Sequence, residues 1–289
     1  MANTNNGYKQ FPRTEVAGVS LPRMLIGTNW LVGYSHKGHA ADMDIRTTNA
    51  TADAVYPVFK TFANHGVNAV MGCTSKDQIL VDSIKYFEDT TGAKLIQIDT
   101  PIINVDDTKE GRAEAEAAIK NSAKCGSTFC FPHHSSAEQL VNKNKRTIDR
   151  LPDYLKMIRD AGMIPGLSAH MPELIIYSDA NEYDVQSYIQ IFNCLGFLMQ
   201  IEIESIIQTI HHAKKPVMTI KPMAAGRVSA YVGLTFNWNV LRPCDMITVG
   251  CKTFYEAHEN IEISFAALEK RLPDLQGRSS PNKTDIIKG

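Results

Sequence analysis

Apolar positions along the chain follow two alternating rhythms. Short runs of large or β-branched residues, bounded by Gly, Pro or polar residues, predict buried strands. Longer segments with apolar residues at three- and four-residue spacing predict amphipathic helices. Strands are predicted at Met24 to Gly27, Val67 to Met71, Lys94 to Ile98, Thr128 to Phe131, Ile164 to Leu167, Val185 to Ile191, Val217 to Ile220 and Met246 to Val249. Helices are predicted at Ala52 to His65, Lys76 to Asp89, Thr108 to Cys125, Thr147 to Ala161, Pro172 to Asn181, Ile201 to Ala213, Val232 to Asn239 and Phe254 to Leu272. In the second helix Ile79, Leu80, Ile84 and Phe87 share one face. Gly66, Gly92, Gly126 and Gly162 follow helix ends, where a glycine stops a helix.

Strict alternation implies parallel pairing, and eight strand–helix units imply closure. The fold class predicted is α/β, a single (β/α)8 TIM barrel over residues 24–272. Residues 1–23 form a lead-in, with Phe11 to Arg23 as a small hairpin or lid, and residues 273–289 a polar tail. The stretch Leu31 to Asn49 carries Tyr34, His36, His39, Asp42 and Asp44 and reads as a long polar loop. Loops of this length in a compact domain are functional lids or disordered.

Composition narrows the function classes. The chain has 289 residues, and a barrel of this kind takes about 250. Its net charge of −1 gives no electrostatic reason to bind nucleic acid or an acidic membrane surface. Met1 to Tyr8 is polar, and no apolar run approaches the ~20 residues of a membrane span. The six cysteines, Cys73, Cys125, Cys130, Cys194, Cys244 and Cys251, contain no CxxC pair and read as free thiols in a reducing cytoplasm. A small-molecule substrate is the partner expected.

In this fold the chemistry sits where strands end. Asn29, Cys73, Asp99, His133, His134, His170, Asn193, Lys221 and Lys252 stand at such ends. Asp99, His133, His134 and His170 come from three consecutive strands and are the catalytic candidates. Asp99, His134 and His170 can be read as ligands of a divalent metal with one position open, although no HxH or HExxH pair supports a metal. Without a metal, a histidine can serve as acid–base group with Asp99 orienting it. The last two strands each end in glycine plus cation: Lys221, Gly226 and Arg227 after one, Gly250, Lys252 and Thr253 after the other. Glycine lets backbone N–H groups approach an anion and the cation neutralises it. His211 and His212 near a helix end, and Glu202 and Glu204 on a helix rim, read as surface.

With these residues in view, the sequence resembles the aldo-keto reductase superfamily. Gly166-Leu-Ser-Ala-His170 is similar to the family's Gly-x-Ser-Asn turn, with Ala169 in place of Asn. Gln190-Ile-Phe-Asn193 is similar to its Gln-x-x-Tyr-Asn. Lys221-Pro-Met-Ala-Ala-Gly226 resembles its Pro-Leu-x-x-Gly, and Gly250-Cys-Lys-Thr253 with Glu259-Asn260 its closing Gly-x-Arg-Ser and Glu-Asn. The resemblance implies that these positions embrace NADP. Ser168 and Gln190 would face the nicotinamide carboxamide, and Lys252, Thr253 and Asn260 the adenosine phosphate. The family's Asp-Tyr-Lys-His tetrad is largely missing. Met71 stands at the Asp position, Cys73-Thr74 replaces the segment that carries the Tyr, Asp99 stands where the Lys is expected, and only His133 matches.

Three functional readings follow. The first is a reductase-like barrel enzyme with new chemistry at an Asp/His centre. It would act on a small phosphate- or carboxylate-bearing substrate by isomerase, lyase or metal-assisted hydrolase chemistry. The second is an NADP-dependent oxidoreductase whose proton donor is His133 or Tyr34. The third is an inactive ligand-binding barrel.

Overall fold

The structure is a computed structural model that describes residues 7–275. The polar segment at residues 1–6 and the tail after residue 275 lie outside the described residues.

Eight parallel strands form a ring. They are β1 (Met24–Gly27), β2 (Ala69–Gly72), β3 (Ile96–Asp99), β4 (Phe129–Cys130), β5 in two segments (Ile164–Pro165 and Leu167–Ala169), β6 (Tyr188–Ile191), β7 (Val217–Ile220) and β8 (Met246–Gly250). The first segment of β5 pairs with β4, the second with β6, and β8 pairs with β1. The ring therefore closes through β5. Gly166 separates the two segments, and a Cβ there would stand 2.2 Å from the Phe131 ring. A side chain at that position would displace a phenylalanine that fills the barrel.

The barrel interior is a packed cluster that includes Leu25, Ala69, Met71, Ile98, Phe129 and Phe131. Val16 and Leu21 join it from an antiparallel hairpin, Arg13–Val16 with Val19–Pro22. The predicted lead-in is thus a hairpin whose apolar side chains seal the interior. A second, larger cluster lies between the strands and the surrounding helices. Ile26 and Val70 on the outer strand faces meet Phe59, Phe62, Ile84 and Phe87 there. Burial on both strand faces explains why the strands read as continuous apolar runs.

Helices follow the strands at Ala52–Asn64, Gln78–Thr91, Lys109–Lys124, Leu151–Asp160, Glu173–Ala180, Ile203–His212, Ala230–Val240 and Phe254–Glu269. Two predictions require correction. The helix expected from Thr147 begins only at Leu151, because Thr147–Ile148 pairs with Val141–Asn142 in a small antiparallel ladder. Asp149 fixes that ladder by accepting bonds from Asn142 Nδ2 (2.9 Å) and Thr147 Oγ1 (2.7 Å). The stretch Leu31 to Asn49 is not an open loop: it contains helices Asn29–Val32 and His39–Thr48. Asp42 accepts from Ser35 N (2.8 Å) and Ser35 Oγ (2.6 Å), and Ile45 is buried. One buried residue in that second helix is too sparse a pattern to reveal it.

All six cysteines are free thiols. No helix among the described residues is long and apolar enough to cross a membrane.

Candidate functional site

The strand ends and the loops that follow them enclose a cavity of about 490 Å³. Its floor is apolar, with Met71, Ile189, Ile220 and Met223 among the lining residues. His133, His134 and His170 line one part, and Lys221 and Lys76 also face it.

The three imidazoles come together. The rings of His133 and His134 lie 4.2 Å apart, and those of His134 and His170 are stacked at 3.9 Å and 15°. His133 caps the short helix His134–Ala137: its Nδ1 accepts from Ser135 N at 3.3 Å and contacts Ser135 Oγ at 2.7 Å. A ring that accepts through Nδ1 carries its proton on Nε2. Glu138, one helical turn beyond His134, holds the set together. Its Oε1 accepts from His170 N (2.6 Å) and Met171 N (2.9 Å), and its Oε2 stands 3.7 Å from His134 Nδ1.

Burial, then the neighbouring His134, then Lys221 push His133 down to about 4 and His170 down to about 3. Both rings are neutral at physiological pH. His170 Nε2 is buried and has no protein partner, an uncommon state for a buried polar atom.

Asp99 is not part of this set. It is fully buried, accepts from Ser122 Oγ (2.5 Å) on helix Lys109–Lys124 and from Ser75 N (3.3 Å), and does not line the cavity. Its role is to tie β3 to the following helix. The metal set Asp99, His134 and His170 is therefore not assembled, and no group of three such ligands occurs among the described residues. Parallel stacking also directs the in-plane lone pairs of His134 and His170 along separate planes, so they do not converge on one ion.

The two cation loops differ from the expectation. Lys221 lines the cavity, and its Nζ lies 3.1 Å from His36 Nε2. Burial lowers its amine to about 8. Lys221, Ala224, Ala225 and Gly226 all take left-handed backbone conformations, which hold this loop in a sharp coil. Arg227 stacks on Phe197 at 3.9 Å and donates to His36 O at 3.2 Å, so it braces the loop outside the cavity lining. Lys252 Nζ is paired with Asp44 Oδ2 at 2.7 Å. The backbone N–H groups of Lys252 and Thr253 both donate to Glu256 Oε2, at 2.6 and 3.2 Å, within the capping box of helix Phe254–Glu269. Trp30, just after β1, packs against Gly250 and Gly226: a Cβ on those glycines would stand 3.2 and 3.5 Å from its ring.

These contacts test the fit of NADP. Ser168, Gly226, Gly250 and Asn260 line the cavity. Gln190 is fully buried behind it and donates to His170 O (3.3 Å), and Asn260 donates to Cys251 Sγ (3.1 Å). The donors that would hold the adenosine phosphate, Lys252 and Thr253, are already bonded to Asp44 and Glu256. The residues present do not fit a phosphate at that end unless both carboxylates are displaced.

Other candidates separate clearly. Tyr34 lines the cavity with its ring under Arg46, whereas His39 is exposed and does not. Cys73 lines it and donates to Thr100 O at 3.3 Å. Asn193 is buried and shapes the turn after β6 through Phe197 and Leu195. His211 and His212 bond to backbone carbonyls at a helix end, away from the cavity. Glu138, Trp30 and Glu256 were missed. Two had sequence signals: Glu138 lies four residues after His134, and Thr253-x-x-Glu256 is a capping-box pattern. Trp30 had none beyond its place after a strand.

No protein-family model matches the chain, and no curated protein matches it significantly. Solved structures are similar in fold. A Pseudomonas aeruginosa protein assigned as an aldo-keto reductase superposes with a TM-score of 0.67 at 10% identity, covering 92% of this chain and 99% of its own. A Klebsiella pneumoniae aldo-keto reductase in complex with NADPH gives a TM-score of 0.55 at 12% identity, covering 97% and 94%. The glycerol dehydrogenase of Gluconobacter oxydans gives 0.56 at 10% identity, covering 93% and 98%. The likeness shows the fold: the chain is a (β/α)8 barrel similar in architecture to these aldo-keto reductases.

Proposed function

We propose that this chain is an enzyme acting on a small carboxylate- or phosphate-bearing substrate by proton-transfer chemistry of the isomerase or lyase type. The observation that carries the reading is the imidazole wall: His133, His134 and His170 line the same cavity as Lys221 with their rings in contact, and burial keeps His133 and His170 neutral. Neutral imidazoles exchange protons with a bound carbon acid or alcohol, and Lys221 supplies the charge that attracts an anion. His133 and His170 are the acid–base groups of this proposal, and His134 and Glu138 position them. A cytoplasmic, metal-independent role accompanies it. The spent donors at Lys252 and Thr253 weigh against NADP as its cofactor.

The test is thermal stabilisation by a panel of small carboxylates and phosphates. A ligand at a hundred times its Kd adds about 2.7 kcal/mol. Stabilisation should appear in the native protein and diminish in His170→Asn and Lys221→Met. A panel with no effect, or an effect unchanged in both variants, sinks the reading.

A further inference from the structure

We infer that Lys221 bonds covalently to a small aldehyde or ketone through its side-chain amine, with His36 beside it as the proton acceptor. The inference rests on the mouth being an active site, and it gives Lys221 a bond-forming part in addition to holding charge.

Six observations support it. Lys221 follows β7 directly, and its side chain lines the cavity. The lining around it is largely apolar, with Ile220, Pro222 and Met223 adjacent in sequence and Met71 and Ile189 from the other strands. Its Nζ donates to His36 Nε2 at 3.1 Å, from a loop fixed by Ser35–Asp42 and Arg227–His36 bonds. Burial alone sets the direction of its proton affinity, with no carboxylate restoring the charge. An amine in such a pocket keeps a substantial neutral fraction, the state that attacks carbonyls. Lys221 Nζ donates to His36 Nε2, so that nitrogen is an acceptor, and partial desolvation and the Lys221 charge both lower the proton affinity of His36. Lys221 is also left-handed although Pro222 follows, a conformation that proline disfavours in its predecessor.

The step balances. The ammonium gives a proton to His36, and the amine lone pair forms a C–N bond to the carbonyl carbon while the C=O π pair moves to oxygen. The attacking nitrogen gives one of its two protons, through water, to that oxygen, giving a neutral carbinolamine. Protonated His36 returns its proton to the hydroxyl, which leaves as water, and the nitrogen lone pair closes the C=N bond as a protonated imine. No oxidant or reductant is consumed.

The test uses pyruvate as probe and sodium cyanoborohydride to reduce any imine to a stable secondary amine, followed by peptide mass mapping. One saturable adduct on Lys221 is expected, with a labelling midpoint near pH 8, well below the ~10.4 of an ordinary lysine. Lys221→Arg keeps the charge and should abolish the adduct. His36→Asn should slow trapping several-fold at neutral pH. Labelling spread evenly over surface lysines, or equal in Lys221→Arg, overturns the inference, and undiminished trapping in His36→Asn removes the histidine from it. If pyruvate stabilises the protein thermally but Lys221 is not trapped, only the covalent inference falls. If pyruvate and the rest of the anion panel neither stabilise nor label, the active-site reading falls with it.

Discussion

The ends of β5 and β8 use the same backbone device. Each presents two consecutive N–H groups to one carboxylate: His170 and Met171 to Glu138, Lys252 and Thr253 to Glu256. The outcome is opposite. Glu138 arrives from the loop after β4 and binds from behind, so the imidazoles it anchors face the cavity. Glu256 belongs to the helix whose first N–H groups it fills, so it occupies the seat an anion would take. Two N–H groups at a strand end therefore do not define a ligand site; what the carboxylate leaves free does. At β5 it leaves three imidazoles, and at β8 it leaves a lysine already paired with Asp44.

The sharpest way to break this comparison is to remove Glu138. Glu138→Ala strips the acceptor from two partly buried N–H groups and the carboxylate that stands 3.7 Å from His134 Nδ1. Each orphaned donor costs about 1–2 kcal/mol, so the loss should total about 2–4 kcal/mol in urea unfolding. Turnover, once a substrate is found, should fall with it as the rings separate. Glu138→Gln keeps an acceptor and should recover about half the stability. A loss below about 1 kcal/mol would mean that β5 is anchored by other contacts.

Acid sharpens it next. His133 and His170 have folded values near 4 and 3, below the ~6.5 of an unfolded histidine. Between those values the unfolded chain binds protons that the folded chain refuses, so stability falls as pH drops from about 6.5 toward 3–4. At pH 5 the expected loss is about 1–2 kcal/mol per ring. Glu138 shifts downward overall. Burial raises it, but the bonds from His134 and the two N–H groups outweigh that, so its own contribution is lost only at the acid end of the window. The pH slope should flatten in the double variant His133→Asn/His170→Asn and stay in Glu256→Ala.

Opening the β8 end is a smaller intervention. Glu256→Ala removes half of a capping box, worth about 1 kcal/mol. It also frees two N–H groups at the start of helix Phe254–Glu269. Inorganic phosphate should then bind about tenfold more tightly by calorimetry. An unchanged phosphate affinity would show that Trp30, packed over Gly250, closes this end instead.

How much of this was legible in the sequence follows from the range of the interactions. The barrel was readable because burial on both faces writes each strand as an apolar run, and glycines such as Gly66 and Gly92 mark helix ends. The convergence of His133, His134 and His170 was readable because strand order alone brings the ends of β4 and β5 together. Asp99 was misread. A strand end names a position but not which way the side chain turns, and the polar pull of Ser122 on a neighbouring helix decided that. The helix His39–Thr48 was missed because one buried residue carries almost no periodic signal. At the cation loops the residue types were legible and their bonding was not. Glycine and cation were present, but the acidic partners Asp44 and Glu256 lie 208 and 4 residues from Lys252, and only the nearer one leaves a local pattern.

The Lys252–Asp44 pair tests the comparison at its finest. Asp44 is largely exposed, at 63% for its side chain, and Lys252 less so at 23%. An exposed pair contributes about 0.2–1 kcal/mol, because water screens the charges and two long side chains lose freedom. Asp44→Asn should therefore change stability by no more than that. Its value lies in what it releases. With Asp44 neutral, the Lys252 ammonium can turn to an anion at the β8 end, whereas the Glu256 carboxylate still blocks the backbone donors. Phosphate affinity should rise only slightly, about two- to threefold, less than in Glu256→Ala. If Asp44→Asn raises it as much as Glu256→Ala, side-chain charge rather than backbone N–H occupancy distinguishes the two strand ends.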